Sequence, residues 1–207
     1  MLKVHHLNNS RSQRIVWLME ELGLDYEIVP YRRDATTNLA PPELMEVHPL
    51  GKSPVIEDGP IKIAESGAII EYVVDRHGGG KLQPDPKSDE HAAYIEWLHY
   101  AEGSAMLPLM MNLYLMRLGE AAAPLTPRVE SEIANNLSYI SGALGDRDYL
   151  MGDFSGADLQ VSFVMEVARA FGKLAAYPNL AAYLTRLHGR PAFKRSLEKG
   201  GAYNLAS

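Results

Sequence analysis

The spacing of apolar positions changes period along the chain, and each change marks an element. Val4 to Leu7 is a short apolar run consistent with a first strand, broken by Asn8-Asn9-Ser10-Arg11. Ile15, Val16, Leu18, Met19 and Leu22 then fall on one helical face, with Gly23 as a C-terminal stop. Tyr26 and Ile28 alternate with Asp25 and Glu27, which predicts a second strand. A polar stretch, 32–40, leads to Pro41-Pro42, which suit the first turn of a short helix through Val47. Val55-Ile56 and Ile61-Lys62-Ile63 flank Asp58-Gly59, a strong hairpin signal. The pattern then turns helical: Ile69, Ile70, Val73 and Val74 recur at near-helical spacing, Ser66 stands at the start, and Gly78-Gly79-Gly80 closes the run.

Residues 1–78 therefore predict strand-helix-strand-helix-strand-strand-helix, an α/β layer on a mixed sheet. Residues 79–88 are rich in Gly, Pro and charge and predict a linker. From 89 to 207 the pattern is helical throughout. Asp85-Pro86 suits the start of a long helix to about Leu118, bent near Gly103 and Pro108. Thr126-Pro127 restarts a helix whose stripe is Val129, Ile133, Leu137, Ile140 and Leu144, with Gly145 at its end. Ser155 and Asp158 have capping-box spacing, flanked by Phe154 and Leu159 as a hydrophobic staple. Two further helices fit 179–188 and 191–199.

Composition narrows the chemistry. The chain has 207 residues, 46% of them hydrophobic and 22% charged, as in an ordinary soluble globular protein. A net charge of −6 argues against nucleic-acid or anionic-membrane partners. There is no cysteine, so disulfides, thiolate metal sites and protein-thiol redox chemistry are excluded, including a thioredoxin-type Cys-x-x-Cys reaction. Thiol chemistry, if any, must come from a ligand. No cofactor metal is expected. With no long apolar run and no leader pattern, the expected location is cytoplasmic.

Two local features point to a binding site. Ser53-Pro54 is a candidate cis peptide at a strand start. Glu65-Ser66 stands where a helix begins, and free N–H groups with the helix dipole suit a carboxylate there. Glu65 beside it suits an ammonium, so the pair fits the head of an amino acid or a γ-glutamyl peptide. A plain Ser cap beside a solvated Glu explains the same residues.

Ser53-Pro54, Glu65-Ser66 and the Ser155–Asp158 cap occur in the order and spacing of the cytosolic glutathione S-transferases. His5-His6-Leu7-Asn8-Asn9-Ser10-Arg11 before Arg14 and Trp17-Leu18, and His48-Pro49-Leu50-Gly51-Lys52-Ser53-Pro54, are similar to a serine-type-like bacterial and fungal branch. The resemblance spans nearly the whole chain. It implies an α/β thioredoxin-like N-terminal domain and an all-α C-terminal domain. It also implies glutathione as co-substrate, a small hydrophobic electrophile, and a homodimer. On this likeness the γ-glutamyl head docks on Glu65 and Ser66, and the Ser53-Pro54 backbone pairs the cysteinyl unit. Lys52 meets the glycyl carboxylate unless it is a solvated surface lysine.

The resemblance also implies a hydroxyl before the first helix that stabilises the bound thiolate. Ser10, four residues before Arg14, is the candidate catalytic residue, although Ser10-Arg11-Ser12-Gln13 reads equally as a helix cap. Asn8 or Asn9 is the alternative donor through a side-chain amide; Ser12 ranks lower, and Tyr26 and Tyr31 lie too late in the chain. Met106, Met110 and Tyr114, with Met111 and Met116 nearby, are candidates for a hydrophobic pocket or for ordinary packing. His99, Tyr100 and Glu102 precede them on the same helix, and Glu102 is a candidate contact to a partner's glutathione. The function implied is attack of activated glutathione on electrophiles in detoxification, with peroxide reduction as a possible accompaniment. The alternative is a non-catalytic binding or regulatory protein on the same fold.

Overall fold

The computed structural model describes residues 1–201 and 203–205. The chain divides into two units, one formed by residues 1–83 together with the chain from Leu187 onward, the other by residues 84–186. The first carries β1 (Leu2–Leu7), α1 (Ser12–Leu22), β2 (Tyr26–Tyr31), α2 (Leu44–Val47), β3 (Val55–Asp58), β4 (Ile61–Ala64) and α3 (Ser66–His77). The second carries α4 (Asp89–Tyr100), α5 (Met106–Leu118), α6 (Thr126–Leu144) and α7 (Gly156–Ala170). Helix α8 (Pro178–Gly189) runs across the boundary, and α9 (Pro191–Gly200) lies in the first unit.

The sheet has the order β2-β1-β3-β4. Strand β1 is parallel to β2 and antiparallel to β3, and β3 is antiparallel to β4. Register puts Leu2, Val4 and His6 of β1 on the same face as Tyr26, Ile28, Ile56 and Ile63. Helix α1 packs against β1, and α3 packs against β3, β4 and α1. Their apolar faces are buried, with Ile15, Val16, Leu18, Ile69, Ile70, Val73 and Val74 all fully enclosed. This is the α/β layer on a mixed sheet expected from the alternation of strand and helix periods.

The hairpin differs by one residue from the expected turn. Asp58 pairs with Ile61, so the loop is Gly59-Pro60 rather than Asp58-Gly59. Gly59 supplies the positive φ, +58°, that a Gly-first two-residue loop requires. Asp58 instead uses its carboxylate, which accepts from Tyr72 Oη at 2.9 Å and His77 Nε2 at 2.8 Å, tying the hairpin to α3.

The sequence division assigned 89–207 to the helical half, yet α9 packs along α1. Phe193 meets the buried Trp17 edge-on at 5.0 Å, and His188 stacks on Phe193 at 4.2 Å. Arg190 clasps Glu21 with two N–H···O bonds of 2.6 and 2.9 Å. Glu20 accepts from Arg195 Nε at 3.0 Å, Lys199 Nζ at 2.5 Å and the Tyr26 hydroxyl at 2.7 Å. An amphipathic pattern reveals that α9 has a face to bury but not which element covers it.

In the helical unit, α4 begins at Asp89, not at Pro86. Asp85 closes a turn instead, accepting from Lys87 N on its side chain at 2.9 Å and from Ser88 N on its carbonyl at 2.8 Å. The expected interruption before Leu118 is a π-helical turn, Ala101–Ala105, between α4 and α5. Pro108, inside the first turn of α5, has no N–H to return to the Ser104 carbonyl, and the wider turn accommodates that loss. The α6 stripe is buried at every position. Each of its side chains contributes about 1.5–3 kcal/mol.

Helix α7 opens with the capping box. Ser155 Oγ accepts from Ala157 N at 3.3 Å, and Asp158 Oδ2 accepts from Ser155 N at 2.9 Å. Asp158 Oδ1 also accepts from Leu150 N at 3.0 Å and from the buried Tyr183 hydroxyl at 2.6 Å. The acid thus joins the cap, the preceding loop and α8. Burial pushes its carboxyl pKa up, against the pull of these donors.

Two stability predictions follow from these contacts. Asp158→Ala removes the acceptor of four enclosed donors, Leu150 N, Ser155 N, Ser155 Oγ and Tyr183 Oη, and should cost about 2–4 kcal/mol in urea unfolding. For Glu20, burial pushes the carboxyl up, but hydrogen bonds from Lys199, Tyr26 and Arg195 outweigh it and hold the group below 4.5. Its stabilisation is then fully present above that value and lost as pH falls through the lower native value. Urea midpoints should fall more steeply with acid in the wild type than in Glu20→Gln.

Candidate functional site

The polar residues singled out in the first unit gather around the carboxyl end of β1 and the start of α3. Leu7 is the last residue of β1, and there the sheet ladder runs out. Side chains take over its hydrogen bonding. Leu7 N donates to Ser12 Oγ at 3.1 Å and to Ser53 Oγ at 3.3 Å. Ser53 Oγ in turn donates to His5 O at 2.8 Å. Ser53-Pro54 is cis, as expected, and the Ser53 side chain extends the β1–β3 pairing by one more step. Pro54 is buried, Ser53 half-buried and Lys52 exposed. Gly51 precedes them with φ +57°, a backbone conformation that favours glycine; the nearest atom to an added Cβ is Met45 Sδ, at the end of an exposed side chain free to move aside.

At α3 the cap position belongs to Glu65, not Ser66. Glu65 holds φ +66° and ψ 115°, an uncommon conformation for a non-glycine residue, and its side chain is exposed. Its carbonyl accepts from Ile69 N at 2.9 Å. Such backbone costs about 1–3 kcal/mol and persists where the surroundings impose it. Ser66 is the first helical residue and is 3% exposed. Its Oγ accepts from Arg14 at 2.8 Å. The Arg14 guanidinium, 2% exposed, thus brings a positive charge from α1 to the N-terminus of α3, where the dipole already favours an anion. Arg14 entered the sequence argument only as a spacing mark beside Ser10; its tie to Ser66 is a long-range contact with no local signal.

Ser10 lies inside the fold, 5% exposed. Its Oγ donates to Leu7 O at 2.8 Å, accepts from Ser12 N at 3.2 Å, and lies 2.8 Å from Ser12 Oγ. Ser12 Oγ is also 2.8 Å from His6 Nδ1, and His6 Nε2 is 3.0 Å from Gly200 O. The proton positions follow from chemistry. A carbonyl only accepts, so His6 Nε2 carries hydrogen. Burial lowers the His6 pKa, so the ring is neutral and Nδ1 accepts from Ser12. The hydrogen of Ser10 then has two inward acceptors, Leu7 O and Ser12 Oγ. The cap reading holds in part: Ser10 Oγ accepts from Ser12 N in the manner of a helix cap, but the Gln13 side chain turns to Ser196 and does not complete a capping box.

Asn8 and Asn9 are half-buried in the same loop. Asn8 N donates to Tyr31 O at 3.2 Å, and Asn8 Oδ1 accepts from Arg33 N at 2.8 Å, drawing Asn8 toward the β2 edge. Asn9, at φ +49°, accepts on Oδ1 from Asn204 N at 2.8 Å. Arg33 fastens the loop, donating to Asn8 O at 3.2 Å, Asn9 O at 3.4 Å and Asn38 O at 3.0 Å. Sequence reading passed over Arg33; its only signal was a cation in a polar stretch after a strand. In the helical unit, Met106 is 2% exposed and belongs to the core, Met110 is half-buried, and Tyr114 is 56% exposed. The Tyr100 hydroxyl donates to Asn136 Oδ1 at 2.7 Å within that unit. Among the described residues no cluster of His, Asp and Glu is arranged to hold a metal ion.

Comparison with known proteins decides the family. Residues 1–75 match the glutathione S-transferase N-terminal domain, and residues 102–191 match its C-terminal domain. The chain belongs to the glutathione S-transferase family. It is similar to glutathione S-transferase 1 of Saccharomyces cerevisiae, 34% identical over 98% of this chain and 96% of that one. A glutathione S-transferase of Actinobacillus pleuropneumoniae superposes with a TM-score of 0.90 at 33% identity, covering 100% of this chain and 96% of the other. A family member from Pseudomonas fluorescens, solved with two glutathione bound, gives a TM-score of 0.81 at 26% identity over 95% and 92%. The chain is accordingly a glutathione transferase with a thioredoxin-like N-terminal domain. No helix among the described residues is long and apolar enough to cross a membrane.

Proposed function

We propose that this transferase seats the γ-glutamyl head of glutathione at the start of α3 and keeps its sulfur as a thiolate against the loop of residues 8–10. The observation that carries the reading is the Arg14–Ser66 bond beneath the strained Glu65 cap. It supports a carboxylate on the α3 N–H groups and an ammonium on Glu65. Ser53 uses its side chain to anchor to β1, which supports main-chain pairing of Ser53 with the cysteinyl unit. Pro54 shapes that turn, and Lys52, exposed, is the proposed partner of the glycyl carboxylate.

For the sulfur, the inward bonds of Ser10 favour Asn9 as donor. Asn9 Oδ1 is pinned by a backbone N–H, so the opposite end of its planar amide is an NH₂ group with hydrogens to offer. Asn8 is tethered to β2, and Ser10 with Ser12 shapes the loop from below. A free thiol titrates near 8.5, so about 3% is ionised at neutral pH. Lowering that by about two units needs roughly 2.7 kcal/mol. One hydrogen bond to a charged acceptor supplies about 1.5–3 kcal/mol, and the N-terminal end of α1 adds about 0.3–1.

The thiolate then attacks an electrophilic carbon: the C–S bond forms as the leaving group departs with its electron pair, and the thiol proton has already passed to solvent. Met110 and Tyr114 are the proposed contacts for a hydrophobic electrophile. Detoxification in the cytoplasm by a homodimer is the proposed setting; sedimentation analysis checks the dimer. Peroxide reduction would begin from the same thiolate, and an organic hydroperoxide assayed in parallel separates the two activities.

Two measurements test this reading. Asn9→Ala should raise the apparent pKa in the kcat/KM profile for a chlorinated nitrobenzene and lower the rate about tenfold or more near pH 6.5, with Ser10→Ala shifting that pKa less. The reverse ranking would return the donor role to Ser10. Ser66→Ala should weaken glutathione binding by calorimetry while leaving the thiol pKa in place, since it acts on the glutamyl end.

A further inference from the structure

The chain after α9 returns to the loop that the proposed reading assigns to the thiolate. Gly200 O accepts from His6 Nε2 at 3.0 Å, and Asn204 N donates to Asn9 Oδ1 at 2.8 Å. These contacts are 194 and 195 residues apart in sequence. The first fixes the His6 tautomer. That tautomer makes Nδ1 an acceptor, turns the Ser12 hydroxyl toward it, and leaves the Ser10 hydrogen directed inward. The second fixes which end of the Asn9 amide is oxygen-bound. Gly200 is packed tightly enough that an added Cβ would lie 3.0 Å from Gln13 Oε1 and 3.3 Å from His6 Nε2. Gln13 itself donates to Ser196 Oγ of α9 at 2.9 Å, so three successive points of the returning chain grip the loop and the start of α1.

We propose that Asn204 is a positioning residue for the thiolate site, holding Asn9 through its backbone N–H. Asn204 is assigned no contact with a reacting atom. It acts by holding the Asn9 amide in the orientation that offers N–H to sulfur. The proposal rests on Asn9 being the thiolate donor, and the test separates the two ideas.

Asn204→Pro removes the backbone N–H; Asn204→Ala keeps it and removes the side chain. The readout is the pKa of the thiol of bound glutathione, followed by ultraviolet thiolate absorbance, with calorimetry reporting binding separately. Asn204→Pro should lower the thiolate fraction near pH 6.5 about threefold to tenfold, with glutathione affinity changed less than about twofold, and Asn204→Ala should keep the wild-type thiol pKa. If Asn204→Pro does not fold, a chain ending at Tyr203 lacks the same N–H and should show the same shift. If Asn9→Ala moves the thiol pKa but Asn204→Pro does not, the positioning role is wrong and the donor reading stands. If Asn9→Ala does not move it, both fall. Equal shifts in Asn204→Pro and Asn204→Ala would also overturn the proposal, because the side chain would then be responsible.

Discussion

The structure around the site depends on one constraint: where β1 ends, the backbone leaves the ladder inside the protein, and its polar groups must still be paired. Leu7 N has Ser12 and Ser53; Leu7 O has Ser10; Asn8 and Asn9 offer their carbonyls to Arg33. A buried amide or carbonyl left unpaired costs about 1–3 kcal/mol. Each of these side chains is therefore committed to a backbone partner. The loop is held by many small bonds from different parts of the unit, not by one strong contact.

That commitment explains why polar residue types alone do not identify the donor. Ser10 is the right residue at the right spacing, but a hydroxyl has one hydrogen, and two inward acceptors compete for it. A carboxamide has both functions at separate ends. When a backbone N–H holds the oxygen, the two N–H hydrogens remain directed elsewhere. Asn9 and Glu65 are also two of the non-glycine residues with positive φ, at +49° and +66°. Strained backbone of this kind persists where surrounding bonds over-determine it, and both positions have such bonds.

Much of the fold was legible in the sequence because its signals are local. The Asp58-Gly59 region announced a hairpin, Ser53-Pro54 a special peptide, and the 4,4,3,4 stepping from Val129 to Leu144 a buried face. The errors fall where a local pattern has two outcomes. Asp85-Pro86 has the chemistry of a helix start, but Asp85 closes a turn and the helix waits for Asp89. Ser10-Arg11-Ser12-Gln13 has the chemistry of a capping box, but only the Ser10 half forms, because the Gln13 side chain is drawn to Ser196 of α9. Arg33, the Arg14–Ser66 link and the return of α9 were not legible at all. Each is a contact between residues more than twenty positions apart, and a charge pattern does not name its partner.

The placement of α9 shows how such distant contacts acquire consequence. Glu20 and Glu21 lie beside the buried Trp17 of α1, with Glu21 accepting from Trp17 Nε1 at 2.8 Å, and by themselves they add two negative charges to a helix with no basic residue in its last turn. Arg190, Arg195 and Lys199 neutralise them, and Phe193 covers Trp17. Surface ion pairs are worth little singly, about 0–1 kcal/mol, but these share nearly buried carboxylates and lie beside an aromatic contact, so they define a register between α1 and α9. Once that register is fixed, Ser196 meets Gln13, Gly200 meets His6 and Asn204 meets Asn9 in order along the chain. The geometry at the end of β1 is therefore set as much by the charges that pair α1 with α9 as by the loop's own residues.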